Sequence, residues 1–208
     1  MTRVKICGIT VREDLATVVE AGADAVGFTV DVPVETPREI TPDLAVELSR
    51  ATPPFVTTVL VTMPDTPEST VELAERIQPD VVQIHGNLNP GELAYLSAKI
   101  HGEVIKAVSP ENAERYDTVA DALLVDSLDA SGAGGTGERH DWNRTRELVA
   151  SLSSPIILAG GLTPENVAGA VETVAPFGVD VASGVESRPG RKDPNAVTSF
   201  VSRAGGRP

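Results

Sequence analysis

The chain carries a single thiol, Cys7, in the run Arg3-Val4-Lys5-Ile6-Cys7-Gly8-Ile9-Thr10. If Val4-Lys5-Ile6 is a strand, Cys7 stands at its carboxyl end, where parallel α/β proteins assemble their sites. Asp126 closes another apolar run, Leu123-Leu124-Val125. A thiol and a carboxyl facing one another across a shared mouth make a base and acid pair. Each also has a plainer reading. Free cysteine is often a small buried hydrophobe, and aspartate at the end of a strand often caps a loop.

Other segments offer binding chemistry. Gly160-Gly161, with Thr163-Pro164 following as a helix start, reads as a phosphate cradle, because glycine lets backbone N–H groups approach an anion. Ser183-Gly184 is the matching element later in the chain. Arg38 could hold a carboxylate through its planar fork, or be a solvated loop arginine. His85 could position substrate, or be a structural histidine. No His/Cys/Asp cluster has metal-ligand spacing, no Gly-x-Gly-x-x-Gly follows a strand, and no Walker-type loop is present. Neither a metal nor a nucleotide cofactor is therefore expected.

These groups need a scaffold that brings strand ends together. Eight short β-type runs can be marked: Val4 to Cys7, Ala25 to Thr29, Phe55 to Val61, Val81 to His85, Val104 to Val108, Ala122 to Asp126, Pro155 to Ala159 and Val179 to Ala182. Most are rich in Val and Ile and bounded by Gly, Pro or Asp. Helical patterns lie between most of them. Thr10 reads as an N-cap, and Val11 to Ala21 as the first helix, stopped by Gly22. Thr41-Pro42-Asp43, Thr66-Pro67-Glu68 and Thr163-Pro164-Glu165 share one start signal, with proline in the first turn; Asn89-Pro90 and Asp193-Pro194 are similar. Ser109 to Val119 is the weakest helix, at most a single turn. About eight strand–helix alternations predict a closed, single-domain (β/α)8 TIM barrel over residues 1–208, compact and with short loops; an open doubly wound sheet is the alternative.

Bulk composition narrows the function. Hydrophobic residues make up 41% and charged residues 23% of the 208, while aromatics are only 3%. The core must therefore be built from Val, Leu, Ile and Ala, as suits parallel strands covered on both faces. One cysteine excludes an internal disulfide framework. Without a long apolar run or a signal-like start, a cytoplasmic protein with no membrane partner is expected. The net charge of −13 argues against nucleic acid. Basic residues are skewed, 13 Arg against 4 Lys. An acidic, lysine-poor surface suits a salt-rich cytoplasm, where a Debye length of about 3 Å near 1 M salt weakens self-repulsion.

Taken in order, the motifs resemble those of phosphoribosylanthranilate isomerases: Lys5-Ile6-Cys7-Gly8-Ile9-Thr10, Gly22-Ala23-Asp24-Ala25-Val26-Gly27-Phe28, Thr36-Pro37-Arg38, Gln83-Ile84-His85-Gly86, Leu124-Val125-Asp126-Ser127, Gly134-Gly135-Thr136-Gly137 with Asp141-Trp142, Gly160-Gly161-Leu162 and Ser183-Gly184-Val185-Glu186. The likeness is poor between Thr29 and Glu35 and resumes at Thr36. It implies a cofactor-free Amadori rearrangement of a phosphoribosyl substrate in tryptophan biosynthesis, in an enzyme of a halophilic archaeon that is a monomer or homodimer. By the family pattern Asp126 is the general acid, Cys7 the general base and Arg38 the clamp for the anthranilate carboxylate. His85 and Asp180 fall to the substrate, and Gly160, Gly161, Ser183 and Gly184 to the phosphate. A thiolate base requires the Cys7 pKa to fall from about 8.5; Lys5 is close in sequence, and the source of that shift is open. The competing readings are a histidine-pathway barrel isomerase, which would use two carboxylates, and a non-catalytic phosphosugar-binding barrel, which would lack the acid and base.

Overall fold

The structure, a computed structural model, describes residues 1–126 and 141–205. Eight parallel strands close into a barrel in sequence order: β1 (Arg3–Cys7), β2 (Ala25–Thr29), β3 (Thr57–Thr62), β4 (Val81–Ile84), β5 (Glu103–Val108), β6 (Ala122–Val125), β7 (Ile156–Leu158) and β8 (Gly178–Val181). Pairing of β1 with β8 seals the ring. The expected eight runs all become strands, each within two residues of its expected ends. The crossovers are α1 (Arg12–Glu20), α2 (Pro42–Ala51), α3 (Pro67–Ile77), α4 (Pro90–Lys99), α5 (Trp142–Ser151), α6 (Val167–Val174) and, after β8, α7 (Pro194–Arg203). Between β5 and β6 the connection carries only a 3-10 turn at Ala113–Arg115, in line with the weak helical pattern there.

Alternation along the strands sorts side chains into two layers. Val59, Val61, Ile105 and Leu124 fill the barrel with Cys7, while Ile6, Phe28, Leu60, Ile84 and Leu123 pack outward beneath the helices. Both layers are mostly aliphatic, as the scarcity of aromatics requires.

Local signals explain most helix starts. Thr41 and Thr66 accept from the N–H groups of Leu44 and Ser69, and Asn89 with Glu92 closes a full capping box. Two expectations fail. Thr10 does not cap α1, whose N-cap is Val11 without a side-chain bond; the Thr10 hydroxyl instead donates to the Gly190 carbonyl at 2.7 Å. Nor does Thr163-Pro164-Glu165 open a helix. Thr163 N–H donates to Asn166 Oδ1 at 2.8 Å, that side chain donates to the Gly161 carbonyl, and α6 begins at Val167. The competing Asx-type bond folds the segment into a turn that tethers the glycine pair.

A recurrent aspartate sets strand starts. Asp24, Asp80 and Asp121, each immediately or closely before an even-numbered strand, accept from the N–H of Val4, Thr58 and Val104 on the preceding odd strand, at 2.8, 2.8 and 2.7 Å. Each satisfies a strand-start donor that the ladder leaves open.

Candidate active site

The carboxyl ends of the strands surround an open-mouthed cavity of about 930 Å³, counting its space open to solvent. Cys7, Arg38, His85, Asp126, Gly160, Gly161, Asp180, Ser183 and Gly184 all line it. The fold thus brings the sequence candidates together. The glycine-rich run from Ser131 to Gly137 lies outside the described residues.

Cys7 ends β1, buried and pointing inward. Gly27 is its register partner on β2, and a Cβ there would sit 2.9 Å from Cys7 Sγ. Burial pushes the thiol pKa up; the Lys5 charge and, further away, that of Lys192 pull it down, and Asp180 adds to the rise. The net direction is upward. In the resting site the cations are present but do not outweigh burial, so what favours the thiolate during reaction stays the open question.

Lys5 points to the same side as Cys7, as two-residue alternation dictates. Its Nζ donates to Asp180 Oδ1 at 2.9 Å, with both side chains at or below 10% exposure. Burial alone would lower the lysine; Asp180 and Cys7 together hold it above its ordinary value. Asp126 follows β6, three strands from β1 along the arc β6-β7-β8-β1, and is buried.

The carboxylate clamp is already engaged. Arg38 donates from Nε and a terminal nitrogen to the two oxygens of Glu186, both at 2.8 Å. The stem of Arg38 crosses Gly8, where a Cβ would lie 2.7 Å from Arg38 Cδ and φ is +76°. Glu186 belongs to a hairpin of β9 (Glu186–Arg188) and β10 (Arg191–Lys192) that follows β8. Lys192 Nζ, fully buried, donates to Glu186 at 3.1 Å and to the Ala182 carbonyl. Burial works against the Glu186 carboxylate, yet its Arg38 bond and the Lys192 charge keep its pKa below the usual range. Arg38 is therefore presented in the bidentate geometry a substrate carboxylate could take over.

At the end of β4, Gln83 donates from Nε2 to His85 Nε2 at 2.9 Å, which places the proton of a neutral imidazole on Nδ1. Gln83 is 1% exposed, and its Oε1 has no hydrogen-bond partner. A buried acceptor facing a cavity suits a ligand hydroxyl or N–H. Gly160 and Gly161 both have positive φ, +86° and +61°. Gly184 packs so tightly on the loop after β7 that a Cβ would lie 1.9 Å from the Leu162 carbonyl oxygen. Ser183–Val185 forms a 3-10 turn. The two loops thus meet as one corner of the cavity, lined at Gly160, Gly161 and Gly184 by backbone without side chains.

Reasoning from residue types did not single out Lys5, Gln83, Glu186 or Lys192 as site residues. Period-two alternation puts Lys5 on the side of Cys7, and the same reasoning could have found Gln83 beside His85. The hairpin that delivers Glu186 and Lys192 has no comparable signature. Among the described residues no group of three or more His, Cys, Asp or Glu side chains is gathered as a metal site would require.

Comparison with known proteins now bears on this geometry. The family model described as N-(5'-phosphoribosyl)anthranilate (PRA) isomerase matches residues 4–203. An N-(5'-phosphoribosyl)anthranilate isomerase of the halophilic archaeon Natronomonas pharaonis is 64% identical over 206 residues, which cover 99% of each chain. A crystal structure of phosphoribosyl anthranilate isomerase in complex with reduced 1-(o-carboxyphenylamino)-1-deoxyribulose 5-phosphate aligns with a TM-score of 0.85 at 37% identity, covering 99% of each chain. Phosphoribosyl anthranilate isomerase from Thermotoga maritima aligns at 0.87 with 38% identity and the same coverage.

Proposed function

This chain belongs to the N-(5'-phosphoribosyl)anthranilate isomerase family, and from that premise we propose how its barrel mouth divides the work. The reaction is the Amadori rearrangement of N-(5-phosphoribosyl)anthranilate to 1-(2-carboxyphenylamino)-1-deoxyribulose 5-phosphate in tryptophan biosynthesis. Asp126 gives a proton to the ring oxygen as the C1–O bond breaks and the nitrogen lone pair forms an iminium. Cys7, as thiolate, removes the C2 proton, and the electron pair flows into the iminium to give an enolamine. The enolamine tautomerises to the ketone, with a proton arriving at C1. Arg38 exchanges Glu186 for the anthranilate carboxylate. His85 and Asp180 face the sugar, and Gly160, Gly161, Ser183 and Gly184 hold the phosphate. Residues 1–208 work as one barrel domain in the cytoplasm; among the described residues no helix is long and apolar enough to cross a membrane.

One observation carries these roles: thiol, carboxyl and guanidinium converge on a single cavity whose far corner is built of glycine backbone. A carbon acid beside an iminium needs only a modest base, so a thiolate suffices. Loss of substrate fluorescence follows the reaction directly. Cys7→Ala and Asp126→Asn should each lower kcat by about 10²–10⁴ with KM nearly unchanged, whereas Arg38→Ala should mainly raise KM, by about 2–3 kcal/mol of binding. Normal turnover in either of the first two variants removes that residue from its role, and an unchanged KM in the third removes the clamp.

A further inference from the structure

The barrel interior holds a cation that the acid–base scheme does not use. Lys5 lies 5% exposed in the layer of side chains that contains Cys7. Gly27 makes room for both residues: a Cβ at that position would fall 2.9 Å from Cys7 Sγ and 3.2 Å from Lys5 Cε. The ammonium bonds Asp180 on β8, the register partner of Lys5, and lies near enough to the thiol for the two groups to bear on each other's charge. An ammonium buried beside one carboxylate is no bargain for stability, since desolvation offsets most of the attraction. Its placement against the one thiol of the chain makes sense if a second negative charge appears there.

We propose that Lys5, oriented by Asp180, is the positioning residue that supplies the counter-charge of the Cys7 thiolate. The proposal rests on the reading of Cys7 as base. Among the described residues, the charged or titratable groups that bear on Cys7 or line its cavity are Lys5 from its own strand, Asp180 from β8, Lys192 from the hairpin, and Asp126, Arg38 and His85 around the mouth; opposite Cys7, β2 places Gly27. Lys5 and Lys192 each pair with a carboxylate, at 2.9 and 3.1 Å, but it is Lys5 that packs with the sulfur over Gly27 and bears on it more strongly. Without it, burial and Asp180 together hold the proton on sulfur.

A single cysteine makes the test clean, because the pH dependence of iodoacetamide alkylation, with the alkylated residue identified by mass spectrometry, reports Cys7 alone. In Lys5→Gln the titration midpoint should rise by about 1 pH unit or more. The acid limb of kcat/KM should move with it, while KM changes little. A lysine of purely structural use would lower activity at every pH and leave the midpoint where it was; that result overturns the proposal. If Lys5→Gln does not fold, because Asp180 is left unpaired, the double variant Lys5→Gln/Asp180→Asn keeps a neutral hydrogen-bonded pair. Its midpoint should still lie above that of the unmodified protein, since the pull of Lys5 on the thiol exceeds the push of Asp180, and an unmoved or lowered midpoint sinks the idea. The two readings fail separately: a fully active Cys7→Ala removes the base and leaves the titration result standing, whereas an inactive Cys7→Ala with an unmoved midpoint removes only Lys5.

Discussion

Three of the four lysines, Lys5, Lys106 and Lys192, are buried. Lys5 and Lys192 have carboxylate partners, but Lys106 is held by neutral groups. Its Nζ donates to the carbonyls of Gly86 and Ala107, both at 2.8 Å, and of Ile84 at 3.3 Å, with the Tyr116 ring 5.5 Å away. It thereby ties β5 to the end of β4, from which Gln83 and His85 project. Burial lowers its pKa from 10.5 to about 8. Below pH 8 folded and unfolded chains both carry the proton, and the cost of the buried cation is fully present. Between about pH 8 and 10.5 the folded chain has released a proton that the unfolded chain still holds, so stability rises with pH, by up to about 3 kcal/mol for the full gap. Denaturant unfolding near pH 7.5 and near pH 10 should show this rise in the unmodified protein and a flatter response in Lys106→Met. Equal pH responses would refute it. At this scale the sequence was most readable where a residue type has one chemistry. Cys7, Asp126 and Arg38 were reachable from it, whereas the bidentate grip of Glu186 on Arg38 was not, because those residues lie 148 positions apart.

At the scale of elements, strands were legible because Val- and Ile-rich runs bounded by Asp, Gly or Pro have few other uses. Helix starts were legible where a cap is followed by proline, as at Thr41, Thr66, Asn89 and Asp193. At Thr163 the same letters failed, since Asn166 offered the backbone a competing partner. The aspartates that tether odd strands act on elements rather than on the site. Asp80 accepts from both the N–H and the hydroxyl of Thr58, at 2.8 and 2.7 Å, at the amino ends of β3 and β4. Asp80→Ala leaves a strand-start donor unpaired and should cost about 1–3 kcal/mol in denaturant unfolding, with kcat and KM preserved because the chemistry lies at the opposite ends of the strands. A change in KM without loss of stability would contradict that separation.

Over the whole molecule, eight alternations were enough to predict closure of the sheet, and the pairing of β1 with β8 completes it. The hairpin after β8 escaped because three- and two-residue strands leave no periodic trace. The net charge of −13 is a property of the surface as a whole. With the acids spread over the exterior, raising the salt shortens the range of their repulsion from about 10 Å at 0.1 M to about 3 Å at 1 M. The melting temperature should therefore climb from low to molar potassium chloride. A flat or falling curve would show that the composition confers no salt dependence.

The burial of three lysines has a practical consequence for the one that remains outside. Lys99 at the end of α4 is the exposed lysine, so an amine-specific reagent meets, apart from the α-amino group, one reactive side chain on the intact barrel. Each further acylation then records an opening: of β1 against β8 for Lys5, of the hairpin for Lys192, and of β5 against the end of β4 for Lys106. The scarcity of lysine that adapts the exterior to salt leaves the interior amines as three built-in reporters of where the closed sheet first comes apart.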